Sequence, residues 1–258
     1  MVRDALEVGV LRQLERAIAI CKKDIRIYYS KGPVLIFGIL LPLFLFLAFS
    51  VGRNIRVSFL MPGLVGMTLF FTATSVAPVI APWETRMKTL ERLISAPVSI
   101  PAIILGDVLA SFLFGAVISV VPAVAGLVTG VGVAHPVILV LGILLASLCF
   151  SSLAAILSTP PTDVPANVMM LSTLIKFPLV FISGIFIPVE EMPAWGKALA
   201  SLSPLTYFTD LARYSFLGVN QYPVHLDIGL LVAFTAVFLT TAIKLHERNI
   251  PRRLDIAS

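Results

Sequence analysis

Charged residues are scarce in this sequence. Only 13% of its 258 residues are Asp, Glu, Lys or Arg, whereas 58% are hydrophobic and the mean hydropathy is +1.00. A typical soluble domain has about a quarter charged residues, so this chain has too little polar surface to cover a soluble globule of its size. The composition therefore argues against a soluble enzyme, a DNA-binding protein or a disordered chain.

Residues that build catalytic and metal sites are also few. Cys21 and Cys149 are far apart and form neither a metal-binding spacing nor a disulfide framework. The only Gly-Lys pair, Gly196-Lys197, is not followed by Ser or Thr, so the sequence has no phosphate-binding P-loop. The histidines form no His-Glu-x-x-His zinc motif: they are His135, His225 and His246.

Long uncharged runs dominate the rest of the sequence. About 20 apolar residues cross the hydrocarbon core as a helix, and backbone groups in lipid must be bonded within the segment, which favours helices. We therefore predict an all-α polytopic membrane protein, with a cytoplasmic segment at 1–32 and a six-helix transmembrane domain at 33–258. The predicted spans are at about 33–51, 57–82, 104–132, 136–159, 166–188 and 225–244.

The distribution of basic residues predicts the orientation. Fourteen of the 19 Lys and Arg residues lie in the N-terminal segment, the loop after the second span and the C-terminal tail. These segments share one side of a six-span topology, and positive charge concentrates on the cytoplasmic side. We expect a multi-pass plasma-membrane protein with both termini in the cytoplasm and no cleavable signal peptide. The net charge of +5 then reflects orientation and contact with anionic headgroups rather than nucleic-acid binding.

The segment 1–32 is predicted to form an amphipathic helix on the cytoplasmic membrane surface. Apolar residues recur at spacings of three and four, which places them on one helical face: Leu11, Leu14, Ile18, Cys21, Ile25 and Tyr28. Basic residues occupy much of the remainder and suit anionic headgroups. Such a helix can anchor the first span, contact a specific partner, or do both.

A second helix is predicted after span two, over 83–95. Glu84 and Lys88 have the spacing of an i,i+4 ion pair, and Pro97 ends the helix. One face is apolar: Trp83, Met87, Leu90 and Ile94. A connection between adjacent spans needs only a few residues, so we interpret this longer segment as a docking helix for a cytosolic protein. A plain solvated surface helix is the alternative.

The segment 190–217, between spans five and six, is predicted to form two short helices on the outer side. Pro204 divides it, and its uncharged part is too short to cross the membrane. Trp195 and Tyr207 are expected to anchor it at the interface. Non-helical backbone at this depth is tolerated where it is buried in protein or faces a cavity. The alternative is an interfacial cap that has no direct role in substrate binding.

Two stretches carry a resemblance to a known family. The first runs Glu84-Thr85-Arg86-Met87-Lys88-Thr89-Leu90-Glu91 and continues to Ser95-Ala96-Pro97. The second comprises Ser183-Gly184 to Pro188, Met192-Pro193-Ala194-Trp195, and Ser203-Pro204-Leu205-Thr206-Tyr207 with Arg213. Both resemble the ABC-2 type membrane subunits, the permease half of ATP-binding-cassette exporters. Lys88 replaces the glycine of the family's Gly-Thr-Leu-Glu pattern, and Ala96 separates the serine and proline of its Ser-Pro pair.

The resemblance covers essentially the whole chain and implies a role for each segment. The helix over 1–32 would be an interfacial connecting helix, the helix over 83–95 a coupling helix in a groove of a nucleotide-binding subunit, and 190–217 the outer helical pair. Residues of the pair would include Pro193, Trp195, Pro204 and Tyr207. Residues that couple to the ATPase would be Trp83, Glu84, Arg86, Met87, Lys88, Leu90, Glu91 and Arg92.

The function implied is that of a permease subunit of an ATP-driven exporter, which is not itself an enzyme. ATP and Mg²⁺ would bind a separate ABC ATP-binding subunit, and no cofactor is expected on this chain. Two permease subunits, identical or different, would pair mainly through spans one and five around a central path. A stand-alone secondary transporter or channel, or an intramembrane enzyme, is the alternative, and the sequence does not indicate the transported substrate.

One charge lies in the central part of a predicted span. Lys176 is near the middle of span five, where a charge costs at least about 2.5 kcal/mol and usually faces the bundle interior or water. We expect it to face the dimer axis or a cavity and to contact an anionic substrate or headgroup in the translocation path. The alternative is a buried lysine held by Ser172, Thr173 or carbonyls freed by Pro178. Asp107, at the start of span three, is expected to cap its helix, with a proton relay as the alternative.

Overall fold

The computed structural model describes residues 2–29, 36, 40–50, 57–128 and 130–257. Over these residues the protein is helical throughout and contains no strand. Five segments are long and apolar enough to cross a membrane: Ser58–Arg86, Ile100–Val128, Pro136–Leu157, Pro165–Ile182 and Val224–Asp255. The all-helical membrane class is therefore confirmed. The predicted first span, 33–51, lies partly outside the described residues, and its described part includes the ten-residue helix Leu41–Ser50.

The helices are numbered along the chain. The first is α1 (Val2–Asp24), which continues as a π-helical turn over Ile25–Tyr29, and α2 is Leu41–Ser50. Then follow α3 (Val57–Ala73), α4 (Ala77–Arg86), α5 (Thr89–Ser95), α6 (Ile100–Val128) and α7 (Pro136–Leu157). The last are α8 (Pro165–Ile182), α9 (Ala194–Ala200), α10 (Pro204–Leu217) and α11 (Val224–Ala257), with a 3-10 turn at Val189–Glu191.

Helices α3 and α4 together form the central span, and a turn at 74–76 separates them. Pro78 is responsible for the break, because proline has no N–H with which to bond the carbonyl four residues earlier, which belongs to Thr74. The apolar part of this span is completely buried within the protein. It packs against α6, α7, α8 and α10. The central span therefore cannot move without displacing these neighbouring helices.

Aromatic rings fill the space around the central span. The ring of Phe70 meets that of Phe150 edge to face, with centroids 5.1 Å apart, and Phe150 meets Phe208 in the same way at 6.4 Å. Phe71 contacts Phe177 at 5.8 Å. Edge-to-face pairs add to the energy of burial alone. The four helices α3, α7, α8 and α10 are therefore held by one connected aromatic core.

Two glycines on α6 allow its neighbours to approach closely. A Cβ atom at Gly106 would lie 2.6 Å from the Ile20 side chain and 2.8 Å from the carbonyl oxygen of Ala17, both on α1. A Cβ atom at Gly115 would lie 2.8 Å from the Cβ of Ala73 on α3. Small residues at such crossings are common between membrane helices. The spacing of α1, α3 and α6 therefore depends on these two positions.

Helix α1 has a packed face and an exposed apolar face. The packed face contacts α6 and contains Ala17, Ile20, Cys21 and Asp24, all buried. Of the six residues predicted to form one apolar face, only Cys21 and Tyr28 are buried. The other four are exposed: Leu11, Leu14, Ile18 and Ile25. An exposed apolar stripe next to basic residues is what a helix at a lipid interface presents.

The region 190–217 contains two helices, α9 and α10, that differ in burial. Trp195 on α9 is 69% exposed, whereas Tyr207 on α10 is buried and donates a hydrogen bond to the carbonyl of Ser201 at 2.7 Å. Helix α10 is buried along most of its length between α3, α7 and α11. The prediction of Tyr207 as an interface anchor is therefore wrong, because packing against Tyr222 and Phe234 accounts for its position.

The last helix is longer than predicted. The expected span 225–244 is part of α11, which continues without interruption to Ala257 although Pro251 lies within it. The additional turns persist because their inner face is bonded to the loop after α7 through His246, Asn249 and Arg253. Those contacts could not be predicted from the local pattern, since the loop is about 90 residues earlier in the chain.

Candidate coupling surface

The segment 83–95 contains an elbow rather than one continuous helix. Helix α4 ends at Arg86 and α5 begins at Thr89. Between them Lys88 has a φ of 54°, the only positive φ of a non-glycine residue in the described part of the chain. The prediction of a single helix is therefore wrong, because a left-handed residue interrupts the hydrogen-bond ladder. Glycine adopts this conformation at no steric cost, and Lys88 stands at the glycine position of the ABC-2 pattern.

The elbow exposes a small apolar and basic surface. Met87 is 73% exposed, and the side chains of Arg86, Lys88 and Arg92 around it are also exposed. We refer to Arg86, Met87, Lys88 and Arg92 as the elbow surface. Glu91 is half-buried beside it. One apolar side chain surrounded by three cations suits a partner groove with an apolar floor and an acidic rim.

The other residues predicted for coupling point inward. Glu84 and Leu90 are buried, and the Trp83 ring stacks on Tyr28 of the N-terminal helical segment with centroids 5.5 Å apart. The predicted ion pair between Glu84 and Lys88 is not formed, because the turn at Met87 and Lys88 carries the lysine outward. Glu84 instead pairs with Lys23 of α1. The sequence pattern thus identified the segment but did not separate its exposed residues from its buried ones.

Helix α1 contacts both ends of the segment 83–95. Besides the contacts of Lys23 and Tyr28 with the end of α4, Arg16 donates a hydrogen bond to the carbonyl of Pro97, just after α5. The side-chain oxygen of Gln13 accepts a hydrogen bond from the backbone N–H of Ser99 at 3.0 Å. A displacement of the elbow therefore has to move or rotate α1.

A buried charged cluster lies behind the elbow. The Lys23 ammonium contacts Glu84 and lies 3.0 Å from an oxygen of Asp24, and both carboxylates are almost completely buried. Asp24 in turn lies beside the carboxyl of Asp107 on α6. Asp107 is about two turns inside its helix, which begins at Ile100. The prediction that Asp107 caps the helix is therefore wrong, since a capping carboxylate must lie in the first turn.

The electrostatics of this cluster combine burial of its charged groups with pairing between Lys23 and the carboxylates. Burial raises the pKa of Asp24, while hydrogen bonding with Asp107 and the Lys23 charge act in the opposite direction. Burial lowers the pKa of Lys23, but Glu84 and the neighbouring aspartates outweigh it and raise the pKa overall. Two carboxyls in contact repel each other when both are ionised, so the Lys23 ammonium beside Asp24 offsets part of this repulsion. Nothing in the local sequence of α1 indicated this cluster, because its members come from three distant segments.

Lys176 is buried rather than turned toward a cavity of the subunit. It is 7% exposed, and its ammonium donates a hydrogen bond to the carbonyl oxygen of Thr74 at 2.8 Å. That carbonyl is the one left without a helical partner by Pro78. Within the subunit, Lys176 is therefore the buried lysine of the alternative prediction. Its acceptor is a carbonyl freed by Pro78 and not by Pro178. Thr173 does not bind the lysine, because its hydroxyl donates to the carbonyl of Met169 in its own helix.

The outer face of α8, opposite Lys176, is apolar. Met170 is 73% exposed and Leu174 is 70% exposed. A shallow groove of about 750 Å³ runs along this face, and its walls include Ala166, Met169, Met170, Thr173, Leu174 and Phe177. A face of this kind is suited to lipid or to a second membrane subunit.

Arg213 and Asp210 bind the outer ends of the helices together. Arg213 of α10 donates a hydrogen bond to the carbonyl of Gly184 and lies 3.9 Å from Glu190. Asp210 accepts hydrogen bonds from the backbone N–H groups of Gln221 and Tyr222, both at 2.8 Å. Burial raises the pKa of Asp210, and these two N–H groups oppose the shift. Both residues therefore stabilise the outer loops, a role that the sequence analysis assigned to neither of them.

These observations define a class of protein: a multi-pass helical membrane protein whose fully buried central span ends in an exposed elbow. The family model described as "ABC-2 type transporter" matches residues 16–217. The chain belongs to this family. The match includes the last part of α1 from residue 16 onward, the elbow and the outer helical pair, and it ends before α11.

Several characterised relatives have similar sequences. The inner membrane transport permease YadH of Escherichia coli K12 is 27% identical over 192 residues, covering 74% of this chain and 75% of the relative. Nodulation protein J of Rhizobium meliloti is 31% identical over 218 residues, 80% of each chain. The daunorubicin resistance ABC transporter permease protein DrrB1 of Streptomyces coeruleorubidus is 26% identical over 214 residues, covering 78% and 72% respectively.

Proposed function

We propose that this chain is the permease subunit of an ABC-2 type exporter, that it forms the translocation path, and that it is driven by ATP hydrolysis on a separate ABC ATP-binding subunit. The observation that carries the proposal is the elbow surface at the end of the central span. A partner bound there acts directly on the span that most of the other helices surround. The name of the Streptomyces relative, a drug-resistance permease, supports export as the direction of transport.

The proposed mechanism follows from the packing of the central span. ATP drives a conformational change only if it binds one state of the ATPase more tightly than the other. When closure of the ATPase displaces the elbow, α4 carries the displacement to α3 through the turn at 74–76. Because the span is buried on all sides, α6, α7, α8 and α10 must rearrange with it. Lys176 contributes to the path through this turn, to which its ammonium is bonded.

The coupling residues divide into two groups under this proposal. Arg86, Met87, Lys88 and Arg92 contact the ATPase directly, with Glu91 at the edge. The half-buried Trp83 and the buried residues Glu84 and Leu90 hold the elbow against α1. ATP and Mg²⁺ bind the partner, and this chain needs no cofactor of its own.

The membrane arrangement completes the proposal. The chain crosses the plasma membrane six times, with the segment 33–51 as the first span and both termini in the cytoplasm. Helix α1 is the connecting helix, and its exposed apolar stripe enters the cytoplasmic interface. Two subunits, identical or different, pair through span one and the apolar groove on α8. Helices α9 and α10 then form the outer pair, with Pro193 before α9 and Pro204 opening α10.

Co-purification with the ATPase encoded beside the permease gene tests the proposal. We expect the paired charge reversal Glu91→Arg and Arg92→Glu to abolish co-purification and the change in ATPase rate that the permease causes. Lys197→Glu on α9 is the matched control, because it reverses an exposed charge on the opposite side. Retention of the complex by the elbow variants, at normal levels in the membrane, would sink the coupling assignment.

A further inference from the structure

Three polar side chains form an inward-facing stripe on the proposed cytoplasmic extension of α11, of which two are buried and one, Asn249, is half-buried. His246, Asn249 and Arg253 are three and four residues apart, which places them on one helical face. The opposite face carries the exposed basic residues Lys244 and Arg248. This extension lies outside the region that the family model matches. Its inner face therefore needs an explanation of its own.

The stripe bonds the end of α7 and the loop that follows it. The His246 ring nitrogen Nε2 lies 2.9 Å from Ser158 Oγ and 3.1 Å from the carbonyl oxygen of Ala155. Asn249 donates a hydrogen bond to the carbonyl of Thr159 at 2.9 Å. The last carbonyls of a helix have no backbone partner within it, so these contacts add hydrogen-bond partners at the end of α7, where Ala155 also accepts a hydrogen bond from the Ser158 hydroxyl at 2.8 Å.

Arg253 makes contacts that the other two residues do not make. It is 1% exposed, and it donates hydrogen bonds to the carbonyls of Ser158 and Pro160, the latter at 2.9 Å. Its other terminal nitrogen lies 3.5 Å from the hydroxyl oxygen of Thr85 on α4. A guanidinium is a rigid planar fork, so it fixes the distance between the groups that it joins. Thr85 is the residue immediately before the elbow surface.

We propose that Arg253 is a positioning residue for coupling, which ties the end of α4 to the α7–α8 connection. The inference rests on the proposed function and adds a second route to it. Movement of the elbow then passes to α7 and α8 through Arg253, in addition to passing to α3 along the central span. Without this tie, the elbow still docks the ATPase, but the α7–α8 connection follows its movement only indirectly, through the contacts of the central span with α7 and α8.

A distance measurement between the two connected segments tests the proposal. Spin labels at Ser95, the exposed last residue of α5, and at Val164, exposed at the start of α8, report their separation by electron paramagnetic resonance. The buried Cys21 and Cys149 are replaced by alanine to remove competing thiols. The labelled permease is reconstituted in liposomes with its ATPase and measured without nucleotide and with ATP plus vanadate.

In the background chain, which carries the two spin labels and the two alanines in place of cysteine, we expect a narrow distance distribution. Nucleotide should change it little, because α5 and the start of α8 move together. Arg253→Gln should broaden it at least about twofold and make it nucleotide-dependent, while the complex still forms. Arg253→Lys keeps the charge and one donor and should lie between these results. The matched control Arg252→Gln changes the exposed neighbour and should match the background chain.

A second measurement separates coupling from folding. Arg253→Gln should reduce the permease-dependent change in ATPase rate by about tenfold, which corresponds to about 1.4 kcal/mol, while co-purification is retained.

Equal distributions and ATPase rates for Arg253→Gln and Arg252→Gln would overturn the positioning role and leave the proposed function standing. If the background chain itself does not bind the ATPase, the proposed function fails instead. If Arg253→Gln does not fold, Thr85→Val leaves Arg253 in place and removes the hydroxyl that Arg253 approaches, together with the bond of that hydroxyl to the Ala81 carbonyl within α4. This variant must reproduce the broadened distribution or the proposal is wrong.

Discussion

Lys88 adopts a backbone conformation that costs energy for any residue with a Cβ atom. Its φ of 54° is required for the turn between α4 and α5, and this turn is what exposes Met87. A left-handed conformation costs about 1–2 kcal/mol for an ordinary L-residue. The lysine therefore adds a charge to the elbow surface at the expense of local stability. The glycine of the ABC-2 pattern avoids the strain but adds no charge.

Substitution of Lys88 tests this balance. We expect Lys88→Gly to raise the midpoint of thermal unfolding of the purified permease, because relief of the backbone strain, about 1 kcal/mol, exceeds the entropy that glycine loses on folding. Lys88→Val should lower the midpoint, since β-branched residues fit this region worst. Equal midpoints for the two variants would show that the turn is not strained.

The bond from Lys176 to Thr74 yields a second prediction at this scale. Lys176→Met should destabilise the permease by about 1–3 kcal/mol, because the carbonyl that Pro78 leaves free loses its donor. Pro78→Ala restores a backbone N–H for that carbonyl, so the double variant should recover most of the lost stability. Thermal unfolding of the two single variants and the double variant measures the coupling between the sites. Additive losses would contradict the shared carbonyl.

At the scale of elements, α1 is the helix on which the coupling segment depends most. It bonds the end of α4, the residues after α5 and the inner face of α6. Its amphipathic pattern was visible in the sequence, but the pattern placed Leu11, Ile18 and Cys21 on one equivalent face. The structure separates them, because the face of α1 that packs against Gly106 carries Ala17 and Ile20, and Leu11 and Ile18 lie on the exposed side.

The contact between α1 and α6 can be tested at Gly106. Gly106→Ala places a methyl group 2.6 Å from Ile20, so α1 must move away from α6. We expect a loss of about 1–3 kcal/mol in stability and faster proteolysis of α1, measured by limited digestion in detergent. Gly229→Ala on α11 is the matched control, because nothing lies within 4 Å of its Cβ position. Equal digestion rates would mean that α1 does not need this close approach.

At the scale of the whole molecule, the sequence predicted what depends on local pattern and missed what depends on distant contacts. Apolar runs indicated the membrane class and the approximate positions of five spans, and motifs indicated the family. The cluster of Lys23, Asp24 and Asp107 was missed, because each residue reads as an ordinary surface charge or helix cap. Arg253 was counted only as part of the positive cytoplasmic charge, since its acceptors at 158–160 are about 95 residues away.

The orientation of the molecule is directly testable, because both native cysteines are buried. A cysteine introduced at the exposed Trp195 should react with a membrane-impermeant maleimide added to intact cells. A cysteine at the exposed Met87 should react only after the cytoplasmic side is opened, for example in inverted vesicles. Labelling of both positions from the same side would contradict the topology with cytoplasmic termini.

The kink in the central span also has a consequence for biogenesis. Lys176 follows Thr74 by 102 residues, so the second span leaves the ribosome long before its hydrogen-bond donor exists. A carbonyl without a partner in lipid costs several kcal/mol. The nascent span therefore needs water or the insertion machinery beside it until α8 has been synthesised. A chain truncated before Lys176 remains an incomplete insertion product and a substrate for membrane proteases, whereas a chain that includes α8 can leave the translocon as a finished bundle.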